Sequence, residues 1–438
     1  MIRQQSSKIV AAVALSLIGA YGDAAFGDEV SELRSAVQAL QKRIDDLEAK
    51  SKEAEETNDR QTDLIAKTRS GYTLPNRFTW KGDFRYRNEN IEQQYVAGRN
   101  RDRIRLRTGF TAQVNDAIRT EVQIATAEAG DPRSSNQTLT GTNTRKSLYL
   151  DLAYFEWQAA EDWRFTGGKM RYPWVRPAAI GYFFDNDINP EGLAVNYAHG
   201  DLFASAFYNL ITERGPTGVG AASVGNADSN MAGAQLGYRL SIGAASRLTV
   251  AGALFDFNAV QNRNVFFVTG SGSTETGGNT TRTTGCYAGA TLCLAYDYRV
   301  YEAFAEYTTA IGRLPLAVHF DYANNAAADN GLDTAYSAGV LLGRASEPHT
   351  WEVGYIWEHH DRDSLFGLYT DSDYGNGATD SEGSMIRAGY APARNWTLNG
   401  TWFLNKTNID VPVLVSPAIG SVRDRDYKRL QVDLNFRF

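Results

Sequence analysis

Proline, cysteine and long apolar runs are all scarce in this chain, and each scarcity excludes something. Past the first twenty residues no apolar stretch approaches 18 residues, which excludes a transmembrane helix. Five histidines are spread over 438 residues, none in a nucleophile motif, and no Gly-x-Ser-x-Gly occurs. The recognisable hydrolase signatures are therefore missing, and no catalytic residue is assigned. His359-His360-Asp361 could hold a metal, but adjacent histidines at a strand end point to opposite faces, and neither a metal nor any other cofactor is expected. A net charge of −7 argues against a general nucleic-acid binder. The mean hydropathy of −0.39 excludes nothing, because a transmembrane barrel hides its apolar face from averaging.

What is present points to sheet. The chain carries 23 Tyr, 20 Phe and 8 Trp beside 40 Gly and only 11 Pro, a supply suited to aromatic girdles at a membrane interface. The N-terminus differs. Arg3 and Lys8 precede the apolar run Ile9–Ala20, and Ala25-Phe-Gly27 stands before Asp28, which reads as a signal peptide over 1–27 and export. Residues 28–69 then place Val30, Leu33, Val37, Leu40, Ile44 and Leu47 at alternating spacings of 3 and 4, an a/d coiled-coil seam that decays beyond Ser51. β-Branched a positions with Leu at d favour a dimer on intrinsic grounds.

Residues 70–438 read as sixteen strands, near 77–88, 102–114, 117–127, 147–157, 162–172, 191–198, 201–212, 230–240, 245–258, 297–309, 313–322, 334–344, 349–360, 383–391, 395–405 and 427–438. Short links such as Asn115-Asp116, His199-Gly200 and Ile311-Gly312 carry turn residues. They alternate with long polar links, of which 259–296 is the longest. Strict short–long alternation with an even strand count predicts an all-β, up-and-down antiparallel transmembrane barrel with both ends of the chain on one side. A soluble sandwich of this size would exceed the ~250–300 residues at which single cores stop growing. A hollow barrel escapes that limit because its centre is water.

Magnitude decides which face meets lipid. Ile104, Leu106, Phe110 and Ala112 share one face of their strand, and Arg103, Arg105 and Arg107 share the other. One Arg on the lipid face costs ~2–4 kcal/mol at the midplane, so the arginines are expected to line the lumen. Arg85 and Arg87 on the preceding strand agree. Arg119, Lys169 and Arg171 complete the expected basic wall. Across the barrel, Glu302 and Glu306 on the tenth strand, diametrically opposite the second, and Glu352 and Glu358 on the strand 349–360 take lumenal parity, predicting an acidic wall and a transverse field. The 34 basic and 39 acidic residues of 71–438 choose no ion by total charge; arginines repeated on adjacent strands favour anions weakly.

Particular stretches carry a resemblance. Leu430 to Phe438 alternates apolar and polar residues and stops on an aromatic, like the closing strand of bacterial outer-membrane barrels. With Trp80-Lys-Gly-Asp-Phe-Arg-Tyr-Arg-Asn-Glu89, Arg101-Asp-Arg-Ile-Arg-Leu-Arg-Thr-Gly109 and Gly168-Lys-Met-Arg-Tyr-Pro-Trp174, it makes the chain resemble the outer-membrane porins of Gram-negative bacteria. In architecture it is similar to phosphate-selective porins with an N-terminal periplasmic coil. The resemblance implies passive diffusion of small solutes and ions, contact with outer-membrane lipid, a homotrimer, and a periplasmic coil free to touch peptidoglycan or another periplasmic partner. It also implies that a long loop folds into the pore. The candidate is 173–192, with Asp185, Asp187 and Glu191 on the acidic side. That loop has no Lys, a departure from the lysine clusters of phosphate-selective relatives. Cys286 and Cys293, with six residues between them in the longest loop of an exported chain, are expected to pair. Two rival classes stand beside the pore: an envelope tether in which the barrel only anchors the coil, and an outer-membrane enzyme.

Overall fold

The computed structural model describes residues 34–52, 77–128, 131–179, 183–215, 228–268, 274–287 and 290–438. The expected signal 1–27 and the flanks of the coil, 28–33 and 53–69, lie outside the described residues. Residues 34–52 form one helix, whose seam residues Val37, Leu40, Ile44 and Leu47 are exposed.

From Phe78 onward the chain forms sixteen long strands: β1 (Phe78–Gln93), β2 (Val96–Gln113), β3 (Ile118–Thr126), β4 (Leu148–Ala160), β5 (Trp163–Lys169), β6 (Glu191–His199), β7 (Leu202–Thr212), β8 (Ser229–Ile242), β9 (Ser246–Asn258), β10 (Tyr298–Ile311), β11 (Leu314–Asn325), β12 (Thr334–Gly343), β13 (Trp351–His360), β14 (Ser381–Ala393), β15 (Trp396–Thr407) and β16 (Arg425–Arg437). Each pairs antiparallel with the next. β16 returns to β1, with Phe84 opposite Phe436 and Arg87 opposite Asp433, so the sheet closes and leaves no open edge strand. At the seam Gly82 exchanges backbone hydrogen bonds with Phe438, and any Cβ at Gly82 would lie 2.4 Å from the Phe438 ring.

The alternation sorts side chains as expected. Trp80, Leu236, Tyr301 and Tyr355 project outward and are exposed, whereas Arg103, Glu302 and Glu352 point inward and are buried. Turn chemistry holds the short-turn end. The Asn115 side chain accepts from the backbone of Ala117 and Ile118, and Gly200, Gly312 and Asn395 take left-handed conformations. The first hairpin departs from the predicted alternation. β1 and β2 continue through the polar stretch 89–101 and are joined by Gln94-Tyr95 alone, where a long loop was expected. We number the long-end connections loops 1–8 in chain order.

The interior corrects the expectation of a water-filled centre. Inward residues of β7, β8, β9 and β10, including Phe207, Met231, Phe255, Phe257 and Tyr298, form one buried apolar cluster with Trp174 and Phe184 of loop 3 (170–190) and Phe366 of loop 7 (361–380). Trp174 lies 4.5 Å from Phe207 and 5.1 Å from Phe255, and Phe366 lies 4.7 Å from Phe257, ring centre to ring centre. Gly233 leaves room for this layer, since a Cβ there would sit 2.3 Å from the Phe207 ring. Aromatic pairs of this kind contribute ~0.5–1.5 kcal/mol beyond the area they bury. This side of the barrel is thus filled, and the layer reaches Met385 of β14 and Phe403 of β15.

Candidate functional site: an arginine-lined passage

The interior along β14–β16 and β1–β3 is mostly polar, Met385 and Phe403 excepted. Its floor is a ladder of arginines set by register: Arg85 opposite Arg105, Arg87 opposite Arg103, and Asp83 opposite Arg107. Like charges at directly opposed positions repel, so the ladder requires anions between its rungs. Asp83 accepts from Arg105 and Arg107 at 2.8 Å each. Glu89, fully buried, is reached by Arg101 at 2.6 Å, Arg429 at 2.9 Å and Arg103 at 3.5 Å. Asp433 receives two hydrogen bonds from Arg87, at 2.6 and 2.8 Å. Such bidentate guanidinium–carboxylate contacts are the strong ones. The expected bare basic wall is therefore a wall of ion pairs, balanced largely on its own strands.

Two loops lie against it. Loop 3 brings Asp187 to 3.6 Å from Arg107, where it also accepts from the backbone and hydroxyl of Ser135 at 3.0 and 2.9 Å. Burial alone would raise the Asp187 pKa, but Arg105 and Arg107 outweigh it and hold the group at about 2. Loop 7 brings Asp373 to 2.7 Å from Arg429 and 3.1 Å from Arg87. There too burial is outweighed by the arginines, and the pKa falls. Loop 2 (127–147) adds Arg133, which donates to the carbonyls of Gly367 and Gly377 and so fastens loop 7. Asp185 accepts from Ser372 and ties loop 3 to loop 7.

Asp187 stands between two cavities. One, of about 560 Å³, opens at the long-loop end and is lined by Asp131, Asp151, Lys169, Glu191, Phe366 and Tyr369 among others. The second, of about 470 Å³, runs along the ladder past Arg85, Arg105, Arg387 and Arg437 to Arg344 in a turn at the short-turn end. Asp187 lines both.

The expected lining residues fall into four places. Arg85, Arg87, Arg105, Arg107, Asp185, Asp187 and Glu352 line the inner cavity, and Arg103 packs behind them against Glu89. Lys169 and Glu191 pair at 2.9 Å in the outer cavity. Arg119 and Arg171 lie apart from the ladder, in a third cavity of about 370 Å³, bound to Glu156 and Glu121. Glu302 and Glu358 are buried beneath loop 3, and Glu306 accepts from the Ala178 backbone, so these three form no acidic wall along the passage. Sequence reasoning missed Asp83, Glu89, Asp373, Arg429 and Asp433. Their lumenal parity was legible on β1 and β16, but Asp373 lies 286 residues from Arg87 and carried no local signal. The expected disulfide is present, Cys286 to Cys293, with Cα atoms 5.6 Å apart.

Solved barrels of similar fold include OprB of Pseudomonas putida, at 11% identity and a TM-score of 0.50, covering 84% of this chain and 97% of that one. OmpF of Salmonella typhi, in a complex with daunomycin, matches at 11% identity and a TM-score of 0.45, covering 82% and 97%. A trimer form of OmpT of Vibrio cholerae matches at 11% and 0.44, covering 83% and 100%. No curated protein matches by sequence. The family model described as "Putative porin" matches residues 87–329, more than half of a chain whose strands close into a sixteen-stranded barrel, and the chain belongs to that outer-membrane porin family.

Proposed function

We propose that the protein passes small hydrophilic solutes and ions across the outer membrane by diffusion, without cofactor, catalysis or energy input. The observation that carries this reading is the polar interior itself: two cavities that share Asp187 in their linings, the inner one lying along the arginine ladder as far as Arg344 at the short-turn end. A barrel serving only as a tether would not need an interior of charged side chains against lipid-like packing elsewhere. With export through the signal over 1–27, the short-turn end and the helix at 34–52 face the periplasm. The exposed seam of that helix supports association between copies, and the porin resemblance supports three of them. Coil contact with peptidoglycan belongs to the same reading.

Selectivity leans to anions. Arg85 has its nearest carboxylate, Asp433, at 3.9 Å, while Asp433 is held more closely by Arg87. Its charge is the least neutralised of the ladder, and charge at the narrow part of a pore sets ion preference. Reversal potentials across a salt gradient in planar bilayers test this on wild type and Arg85→Gln. Anion preference in the wild type, reduced in the variant, supports the reading. Unchanged preference removes Arg85 from selectivity, and folded protein that conducts nothing favours the tether.

A further inference from the structure

The third cavity, of about 370 Å³, plays no part in the passage and shares no lining residue with the cavity along the arginine ladder. Strand parity builds it at the short-turn end. Lys81 of β1, Arg119 and Glu121 of β3, Glu156 of β4 and Arg164 of β5 line it, each within a few residues of its strand's short-turn end. Register sets Arg119 opposite Glu156, and Arg164 opposite Asn196 of β6. Arg171 enters from the start of loop 3.

The acids of this cavity are spent and its cations are not. Glu121 lies 2.8 Å from Lys81 and 2.7 Å from Arg171, and it also accepts from the Tyr154 hydroxyl at 2.8 Å. Glu156 accepts from Arg119, while Arg164 stands 3.8 Å away, beyond hydrogen-bond reach. Both carboxylate side chains are buried, at 6% and 13% exposure, whereas the four cations are 41–53% exposed. Four cations against two carboxylates leave two positive charges on the accessible side. A guanidinium carries several donors in a fixed fork, and Arg164 spends none of its own on another described residue. The roof is fixed as well. Met170 N–H donates to the Pro190 carbonyl at 2.8 Å, and the Asn196 amide donates to the Pro173 carbonyl at 2.6 Å. A cavity shaped in advance lowers the ordering cost of binding.

We propose that this pocket binds a short aliphatic dicarboxylate, of which succinate is the type. Glu121 and Arg119 stand two residues apart on β3, about 7 Å along the strand, so positive charge gathers at two levels. Lys81 and Arg171 surround the acid farther from the turns, and Arg119 and Arg164 the acid nearer to them. A compact dianion such as sulfate meets one level, whereas a dicarboxylate reaches both with charge-assisted hydrogen bonds. Tyr172 and Pro173 of loop 3 line the same cavity and offer apolar surface to the methylenes between the two carboxylates, which an inorganic anion could not use. The pocket stands beside the ladder, so it holds a solute at the short-turn end without standing in the inner cavity. Delivery of that solute rests on the diffusion reading; the binding itself does not.

Isothermal titration of succinate into the folded full chain in detergent micelles reads the pocket without requiring conduction. Wild type should bind succinate saturably, with sulfate at least about tenfold weaker and acetate weaker still. Arg164→Gln/Arg171→Gln, at two half-exposed positions, should weaken succinate at least about tenfold while the protein keeps its heat-modifiable migration. If that variant does not fold, Arg164→Gln alone replaces it and should weaken succinate about threefold or more. Arg85→Gln, on the ladder, should bind succinate within about twofold of wild type. No saturable binding, sulfate equal to succinate, a pocket variant that binds like wild type, or an equal loss from Arg85→Gln overturns the pocket and leaves the diffusion reading standing. Protein that binds succinate as expected but conducts nothing in planar bilayers overturns the diffusion reading and keeps the pocket.

Discussion

The two halves of this interior treat buried carboxylates in opposite ways. Along β14–β16 and β1–β3, Asp83, Glu89 and Asp433 each lie within 2.6–2.9 Å of a guanidinium. Along β10–β13, Glu302, Asp321 and Glu358 have aromatic rings, hydroxyls, histidines and each other. The difference teaches that lumenal parity alone does not make a residue pore-lining. Charge pairs that match keep a wall polar and rigid enough to border a passage. Acids without cations lie instead where loops pack over them and no passage runs.

The comparison can be broken by making one substitution in both halves. Glu89→Gln leaves Arg101, Arg103 and Arg429 facing an amide, and breaking a buried pair in this way costs ~3–5 kcal/mol. Urea unfolding in phospholipid vesicles measures it, and a loss below about 1 kcal/mol would mean the ladder is hydrated rather than buried. Trp174→Ala attacks the aromatic half instead. It removes a ring packed between Phe184, Phe207 and Phe255, at ~3 kcal/mol or somewhat more. Conductance should rise with it, because the anchor of loop 3 is lost; unchanged conductance would separate the aromatic packing from the passage. Cys286→Ser/Cys293→Ser opens a short loop at ~2–3 kcal/mol by the chain-entropy model. That loss is confined to loop 5 (259–297), so protease nicking there should increase while conductance holds. The smallest effect belongs to Glu302→Gln, the counterpart of the first change. An amide in place of a buried carboxyl that no guanidinium or ammonium pairs with should shift unfolding by roughly 1 kcal/mol or less. A loss as large as that of Glu89→Gln would show that Glu302 is ionised and paired after all.

Much of the barrel was legible because period-2 alternation marks strands and the cost of Arg in lipid fixes their faces. The turn residues at Asn115, Gly200 and Gly312 set the boundaries at one end. Residues 89–101 misled because their polarity resembles a loop, whereas β1 and β2 simply continue past their neighbours. The filled half was missed for a different reason. Val250, Leu254, Phe255 and Phe257 put apolar residues on both faces of β9, and Tyr182-Phe-Phe184 and Leu365-Phe366 place aromatics in loops expected to be wet. Read together, those runs were a signal of packing inside the barrel. The pairing of Arg87 with Asp373 could not be read, since it joins β1 to loop 7 through the closed ring.

Loops 2, 3, 5 and 7 are laced together, with Arg133 capping carbonyls of loop 7 and Asn279 of loop 5 holding Arg362, Leu365 and Gly367. Exterior loops of a surface protein are ordinarily where sequence drifts most freely. Here that freedom is unequal, because a change in any laced loop must be answered by the other three. The ribbon of Val413–Ser416 and Gly420–Val422 in loop 8 pairs only with itself. Sequence variation should accumulate there first, and an epitope tag inserted at 417–419 should leave the mouth of the barrel undisturbed.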